Sequence, residues 1–156
     1  MKKTAIFVDV QNIYYTTRQA YNRQFNYRKF WKQVSAETEI VSATAYAIQS
    51  RDDNQIKFQD ALKHIGFTVK LKPFIQRSDG SAKGDWDVGI TIDILETVKS
   101  VDAILLLSGD GDFDLLLQKI NEQVHTLVYG VPELTARSLI ESAQEYRQID
   151  EHLLLP

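Results

Sequence analysis

Asp87-Val88-Gly89-Ile90-Thr91-Ile92-Asp93-Ile94-Leu95-Glu96-Thr97-Val98 decides the fold, because it fits two kinds of element. Val88, Ile90, Ile92 and Ile94 alternate, as residues of a half-buried strand do. Val88, Ile92 and Leu95, with Ile94 and Val98, equally make a wide stripe at helical spacing. The flanking segments settle the choice. Upstream, Phe67 to Ile75 alternates Phe67, Val69 and Leu71 and reads as a strand, with Pro73 marking an edge or a strand end. Downstream, Ala103 to Leu107 is uniformly apolar and reads as a buried strand. Two such strands need a covering element between them, and the right-handed crossover rule makes that element a helix.

Outward from this helix the chain alternates strand and helix. Thr4 to Val10 is the first strand, mostly apolar, like a central strand covered on both faces. Asn12 to Tyr21 and Tyr27 to Ala36 read as helices, the second with Phe30, Trp31 and Val34 on one side. Ile40 to Ile48 is a strand, and Asp53 to Ile65 a helix stopped by Gly66. Arg77 to Gly84 is a polar loop, Phe113 to Gln123 a helix, Thr126 to Val131 a fifth strand, and Glu133 to Glu145 the last helix. The apolar tail, Leu153-Leu154-Leu155, packs on the body or on a second subunit, which makes a homodimer one expected assembly. The sum is an α/β fold: one domain over residues 1–156 with a mainly parallel, doubly wound sheet of about five strands. Such sheets bind ligands at the carboxyl ends of their strands, where strand order reverses. The first strand and Ala103–Leu107 are the expected neighbours at that point.

Composition narrows the chemistry. The 156 residues are 44% hydrophobic and 25% charged, ordinary for a globular protein. Cysteine is absent, which excludes disulfides, thiolate metal sites and cysteine nucleophiles. The apolar run ending at Asp9 is too short for a signal peptide and no stretch is long enough to span a bilayer, so a cytoplasmic protein with no membrane partner is expected. A net charge of −3 argues against coating nucleic acid by bulk basicity. It leaves room for an enzyme on nucleic acid, because cations bound by carboxylates reverse the local sign. His64, His125 and His152 have no ligand spacing, and the phosphate-binding, dinucleotide and nucleophile-elbow glycine motifs are all missing.

Three acidic segments remain: Phe7-Val8-Asp9-Val10-Gln11-Asn12, Lys83-Gly84-Asp85-Trp86-Asp87-Val88 and Ser108-Gly109-Asp110-Gly111-Asp112-Phe113. In a parallel sheet, strand ends and the helix starts that follow them share one rim, so these carboxylates are expected in one cleft. Asp9 closes the first strand; Asn12 is the better placed helix cap and could also orient a water in the site. Asp110 follows a buried strand between two glycines, whereas Asp112 could be only the cap of the helix opening at Phe113. Within the middle segment, one division makes Asp85 the cap and turns Asp87 into the cleft. Ser108 could orient a carboxylate or satisfy backbone. Lys83, Arg77, Arg51 and Ser108 are the candidates for contact with substrate, with Arg137 a further cation near the last helix. Tyr14, Tyr15, Tyr21 and Trp86 are candidates to stack bases or to fill the core.

In this order and spacing, Asp9-x-x-Asn12, Lys83-Gly84-x-x-Asp87-Val88 and Ser108-Gly109-Asp110-x-Asp112-Phe113 resemble the NYN domain, the LabA-like (DUF88) branch of the PIN-like nuclease superfamily. The resemblance runs from the first strand to the final helix. It implies a PIN-like three-layer α/β/α sandwich and Mg²⁺- or Mn²⁺-dependent cleavage of RNA, single-stranded or structured. It carries the acidic site onto Asp9, Asp87, Asp110 and Asp112 as metal ligands, with Asn12 assisting. The expected function is thus a metal-dependent endoribonuclease; the alternative is a catalytically weak or inactive RNA- or protein-binding regulator of the same fold. A haloacid-dehalogenase phosphatase fits less well, since its second Asp would stand at position 11, which is Gln. A phosphoryl-accepting receiver would need an Asp where Pro73-Phe74-Ile75 stands.

Overall fold

The computed structural model describes residues 1–73 and 85–156 and, as backbone, 75–76 and 82–83. Its main sheet is built from β1 (Lys3–Asp9), β2 (Glu39–Ile48), β3 (Thr68–Lys72), β6 (Ala103–Leu107), β7 (His125–Gly130) and β8 (Glu145–Gln148). These six strands lie in the order β3-β2-β1-β6-β7-β8, and every pair is parallel. A separate two-stranded antiparallel ribbon joins β4 (Ile75–Gln76) to β5 (Ala82–Lys83).

The helices are α1 (Val10–Tyr21), α2 (Tyr27–Glu37), α3 (Asp53–Ile65), α4 (Asp87–Thr97), α5 (Asp114–Ile120) and α6 (Arg137–Ser142). Strand alternation sorts them into two layers. Ile6, Val8, Leu105 and Leu107 point to one face, packed with Ile13, Phe30, Val34 and Leu62 from α1, α2 and α3. Ala5, Phe7, Ile104 and Leu106 point to the other, packed with Ile90, Ile94, Leu117 and Leu139 from α4, α5 and α6. The result is the three-layer sandwich. The chain winds outward through β2 and β3, returns beneath α4, and enters β6 beside β1. Strand order reverses there, with the carboxyl ends of β1 and β6 side by side, Val8 in register with Leu107.

The ambiguous stretch is helix α4. Ile90, Ile94 and Val98 are buried at four-residue spacing, whereas Val88, Ile92 and Leu95 are exposed. Burying Ile90 and Ile94 is worth roughly 1.5–3 kcal/mol each, which seats the helix on the sheet. The alternation of four β-branched residues came from placing apolar side chains on both sides of the helix.

Several expectations need correction. The sheet has six strands rather than about five, and it is wholly rather than mainly parallel. The segment Glu133 to Glu145 is not one helix. Pro132–Leu134 makes a tight turn, α6 occupies only Arg137–Ser142, and Ala143 turns to an extended conformation that leads into β8. The strand expected from Phe67 to Ile75 stops at Lys72. Of the loop expected at Arg77 to Gly84, Ala82–Lys83 is strand; 77–81 and Gly84 lie outside the described residues. The helix expected from Phe113 begins as a tight turn at Gly111–Phe113 and becomes α-helical at Asp114. The tail packs on its own body: Leu153 and Leu154 are buried, and Leu154 bridges to Phe25. Among the described residues no helix is long and apolar enough to cross a membrane.

Candidate metal centre

Asp9 ends β1 and is the N-cap of α1, which starts at Val10, three residues earlier than a cap at Asn12 would allow. Its Oδ1 accepts from the Asn12 backbone N–H at 3.4 Å, and its Oδ2 accepts from the Ser108 hydroxyl at 3.1 Å. Freed from capping, the Asn12 side chain reaches across instead: its Oδ1 accepts from the Gly109 N–H at 2.8 Å. Ser108 is fully buried, and its hydroxyl also accepts from the Asp110 N–H at 3.1 Å. The ends of β1 and β6 are therefore laced together by side chains of both.

Asp110 projects from the turn after β6. Its Oδ1 accepts from the Asp112 N–H at 2.9 Å, so Asp110, not Asp112, caps the turn that leads into α5. Gly109 is required by space. A Cβ there would sit 2.7 Å from the Leu134 carbonyl oxygen and 3.1 Å from Thr135 Cα, both backbone atoms that cannot step aside. Fully buried Phe113 anchors the far side of the turn.

Asp87 arrives from a third part of the chain, in the first turn of α4. The N-cap of α4 is Trp86 and not Asp85, which was expected there; Asp85 Oδ1 instead accepts from the Asp87 N–H at 3.3 Å in the turn before the helix. Trp86 fixes the approach. Its indole N–H donates to the Ala47 carbonyl at 2.8 Å, its ring meets Tyr46 edge-on at 5.3 Å, and Lys72 Nζ lies 5.1 Å above it. Lys72 also donates to the Asp85 carbonyl at 2.8 Å. Trp86 is thus a positioning residue between β2 and α4 rather than a free platform for a base. Tyr21 is likewise engaged, its hydroxyl donating to the Ile149 carbonyl at 2.7 Å.

Asp9, Asp87 and Asp110 each offer a carboxylate oxygen, and these oxygens lie within 4.8 Å of one another. Burial raises Asp9 from 3.8 to about 6; the charges of Asp110 and Asp85 push the same way, against the hydrogen bonds from Asn12 and Ser108. Asp87 rises to about 8, first through burial and then through a hydrogen bond with Asp110 and the charges of Asp110, Asp9 and Asp85. Such a shift reports like charge crowded into a half-dry pocket. The donor set fits a hard divalent cation: all oxygen, all anionic, with neither histidine nor thiol. A cation among these oxygens relieves the repulsion that otherwise retains protons.

The other sequence candidates lie at various distances from this trio. Asp112 is exposed on the turn and is not among the three converging carboxylates. Arg51 is exposed between β2 and α3, on the rim that bears Asp9. Arg137 is exposed and paired with Glu141 at 2.9 Å. Lys83 belongs to β5, its side chain outside the described residues, and Arg77 is outside them altogether. His64 and His152 are exposed, and His125 contacts Gln144 and Glu145 at the opposite end of the strands. Sequence reasoning did not foresee Trp86 and Lys72 as supports of the Asp85–Asp87 turn. The signal available was a tryptophan between two acids at a helix start, where a large side chain needs a reason.

The comparisons agree with this architecture. A curated relative, the low amplitude and bright protein LabA of Synechococcus elongatus, is 31% identical over 158 aligned positions, covering 96% of this chain and 84% of that protein. A crystal structure of a protein of unknown function from Vibrio parahaemolyticus is 52% identical, with a TM-score of 0.94 over 99% of this chain and 96% of the other. The NYN domain family matches residues 3–150, the span that contains all three acidic segments. The chain belongs to the NYN domain family.

Proposed function

We propose that the protein is a divalent-cation-dependent ribonuclease that hydrolyses phosphodiester bonds with Mg²⁺ or Mn²⁺ held by Asp9, Asp87 and Asp110. One observation carries the proposal: three carboxylates from three distant chain segments meet within 4.8 Å at the point where strand order reverses. When bound, the cation supplies Lewis acidity, lowering the pKa of a water and neutralising charge that builds on the phosphate.

The chain's own residues do the rest. Asp9 and Asp110 are held at fixed separation by the buried Ser108 hydroxyl, which bonds both segments. Asn12 locks the loop through Gly109, so the acids do not drift when their charge changes. Asp87, half-buried at the start of α4, closes the trio from the third chain segment, and the like charge that, after burial, raises its pKa is what a bound cation would offset. Asp112, exposed on the turn two residues after Asp110, would orient a water or the cation from outside the trio. Arg51, with Lys83 and Arg77 on the stretch leading to α4, would meet flanking phosphates.

The test is cleavage of single-stranded and structured RNA with Mn²⁺, with and without EDTA, by the wild-type chain and by Asp110→Asn. EDTA-sensitive products that vanish in a folded Asp110→Asn variant are expected. RNA binding that never yields products assigns the chain to the non-catalytic regulatory alternative. Full activity of Asp110→Asn overturns the site.

A further inference from the structure

Beside the trio runs a groove of about 960 Å³, between α1, the end of β2 and the start of α3. It begins where the acids stop: Val10 and Gln11, the residues after Asp9, line one end. Ala47, also lining it, receives the Trp86 indole on its other side. The groove thus adjoins the centre through the start of α1 and the end of β2, although none of the three carboxylates lines it.

Its chemistry is unlike that of the rest of the surface. In a chain of net charge −3, no aspartate or glutamate among the described residues lines it, while Arg51 and Lys57 do. Among the described residues neither cation is in an ion pair. Tyr14 and Tyr15 on its α1 wall are 42% and 57% exposed and set edge-to-face at 5.4 Å; Arg18 lies 5.9 Å from the Tyr14 ring, which leaves Tyr15 the more open of the two. Gln11 and Gln49 supply amides, which carry both a donor and an acceptor. The volume is at the roomy end of the roughly 300–1,000 Å³ typical of small-ligand pockets.

Aromatic faces, amides and unpaired cations without carboxylates are the means by which a protein holds unstacked nucleobases and their phosphates. A duplex buries its base faces in its own stack and cannot offer them to Tyr14 and Tyr15. We infer that this groove is the binding track for a single-stranded nucleic-acid segment flanking the scissile phosphate, with bases on Tyr14 and Tyr15 and phosphates on Arg51 and Lys57. The inference rests on the nuclease reading and adds to it the strand state of the substrate and the side of the centre on which it lies.

The experiment measures fluorescence anisotropy of a fluorescein-labelled uridine 12-mer and of a duplex of equal length, on the full Asp110→Asn chain in Mn²⁺ and the wild type in Ca²⁺. In the same backgrounds, Tyr15→Ala and the double variant Arg51→Ala/Lys57→Ala are expected to weaken single-strand binding about tenfold or more. The double variant is also expected to flatten the salt dependence by about 1.4 in log–log slope, roughly 0.7 per phosphate contact. All three side chains are exposed, and circular dichroism checks the folds. Photo-crosslinking of a 5-iodouridine 12-mer to the unaltered chain is expected to mark the peptide carrying Tyr14 and Tyr15, independently of any variant. Unchanged affinity in folded groove variants, crosslinks confined elsewhere, or equal binding of the duplex overturns the groove assignment, even where wild-type cleavage upholds the centre. Failure of both backgrounds to bind either oligonucleotide overturns the nuclease reading together with it.

Discussion

Asp87 faces Asp9 and Asp110 across less than 5 Å of half-dry space, and without a cation it keeps a proton that a carboxylate in water has lost. Its folded-state value near 8 stands above the ordinary 3.8, so the metal-free fold holds more protons than the unfolded chain between those limits. The group's contribution to stability is therefore complete below about pH 4 and is lost as the pH climbs through 8. Asp87→Asn removes this titration. Because Asp87 is only half-buried, water screens much of the penalty. The variant without metal is expected to melt about 2–4 °C above wild type at pH 8, the shift that roughly 1 kcal/mol produces at this chain length. No difference is expected at pH 4. The same variant should lose most of its stabilisation by Mn²⁺. Thermal melts at the two pH values check both statements, and a metal-free variant less stable than wild type at pH 8 would sink the account.

At the level of the element, the turn after β6 is the most constrained piece of the centre, and Gly109 is its tightest point. Gly109→Ala sets a methyl against the Leu134 carbonyl and the Thr135 backbone, so the turn must shift and carry Asp110 with it. The expected cost is about 1–3 kcal/mol in urea unfolding. Isothermal titration should show Mn²⁺ affinity down at least tenfold, because one ligand of three has moved. A change in stability without a change in affinity would mean that the turn does not set the position of Asp110. The long elements were readable from sequence: β1 and β6 as continuous apolar runs, α3 as a stripe with a glycine stop, and α4 only through the strands on either side, since Val88, Ile92 and Leu95 of its expected stripe are exposed. Asp9, Asp87 and Asp110 were readable because strand ends in parallel sheets share a rim. The capping roles were not. Asp9 and Asp110 cap their turns while also facing the cleft, and a one-dimensional reading treats those duties as rivals. The strand β8 escaped notice because Glu145-Tyr146-Arg147-Gln148 has no apolar run and becomes a strand only through pairing with β7.

For the whole molecule, the trio joins residues far apart in the chain, and a cation that needs all of them stabilises only the complete fold. Stability and metal binding are then linked through pH in opposite senses. The metal-free protein loses stability from pH 5 to pH 8 as Asp9, near 6, and Asp87, near 8, become charged. Cation binding must displace those protons and so strengthens over the same interval. At a Mn²⁺ concentration a hundredfold above Kd, the gain is about 2.7 kcal/mol. This corresponds to a rise in Tm of roughly 5–10 °C at pH 8, shrinking toward nothing at pH 5. Differential scanning fluorimetry with EDTA and Mn²⁺ arms across that range checks it; a gain independent of pH would place the cation elsewhere.

The strand that hid from the hydrophobic pattern forms one border of the sheet. Its unpaired backbone edge is an invitation to any passing extended chain, and long apolar borders are where proteins accrete into aggregates. Glu145, Arg147 and Gln148 decline that invitation: the border is four residues long, and Glu145 and Arg147 are bonded to each other. The polarity that made the segment look like nothing in particular is what disfavours the addition of a further strand along this border.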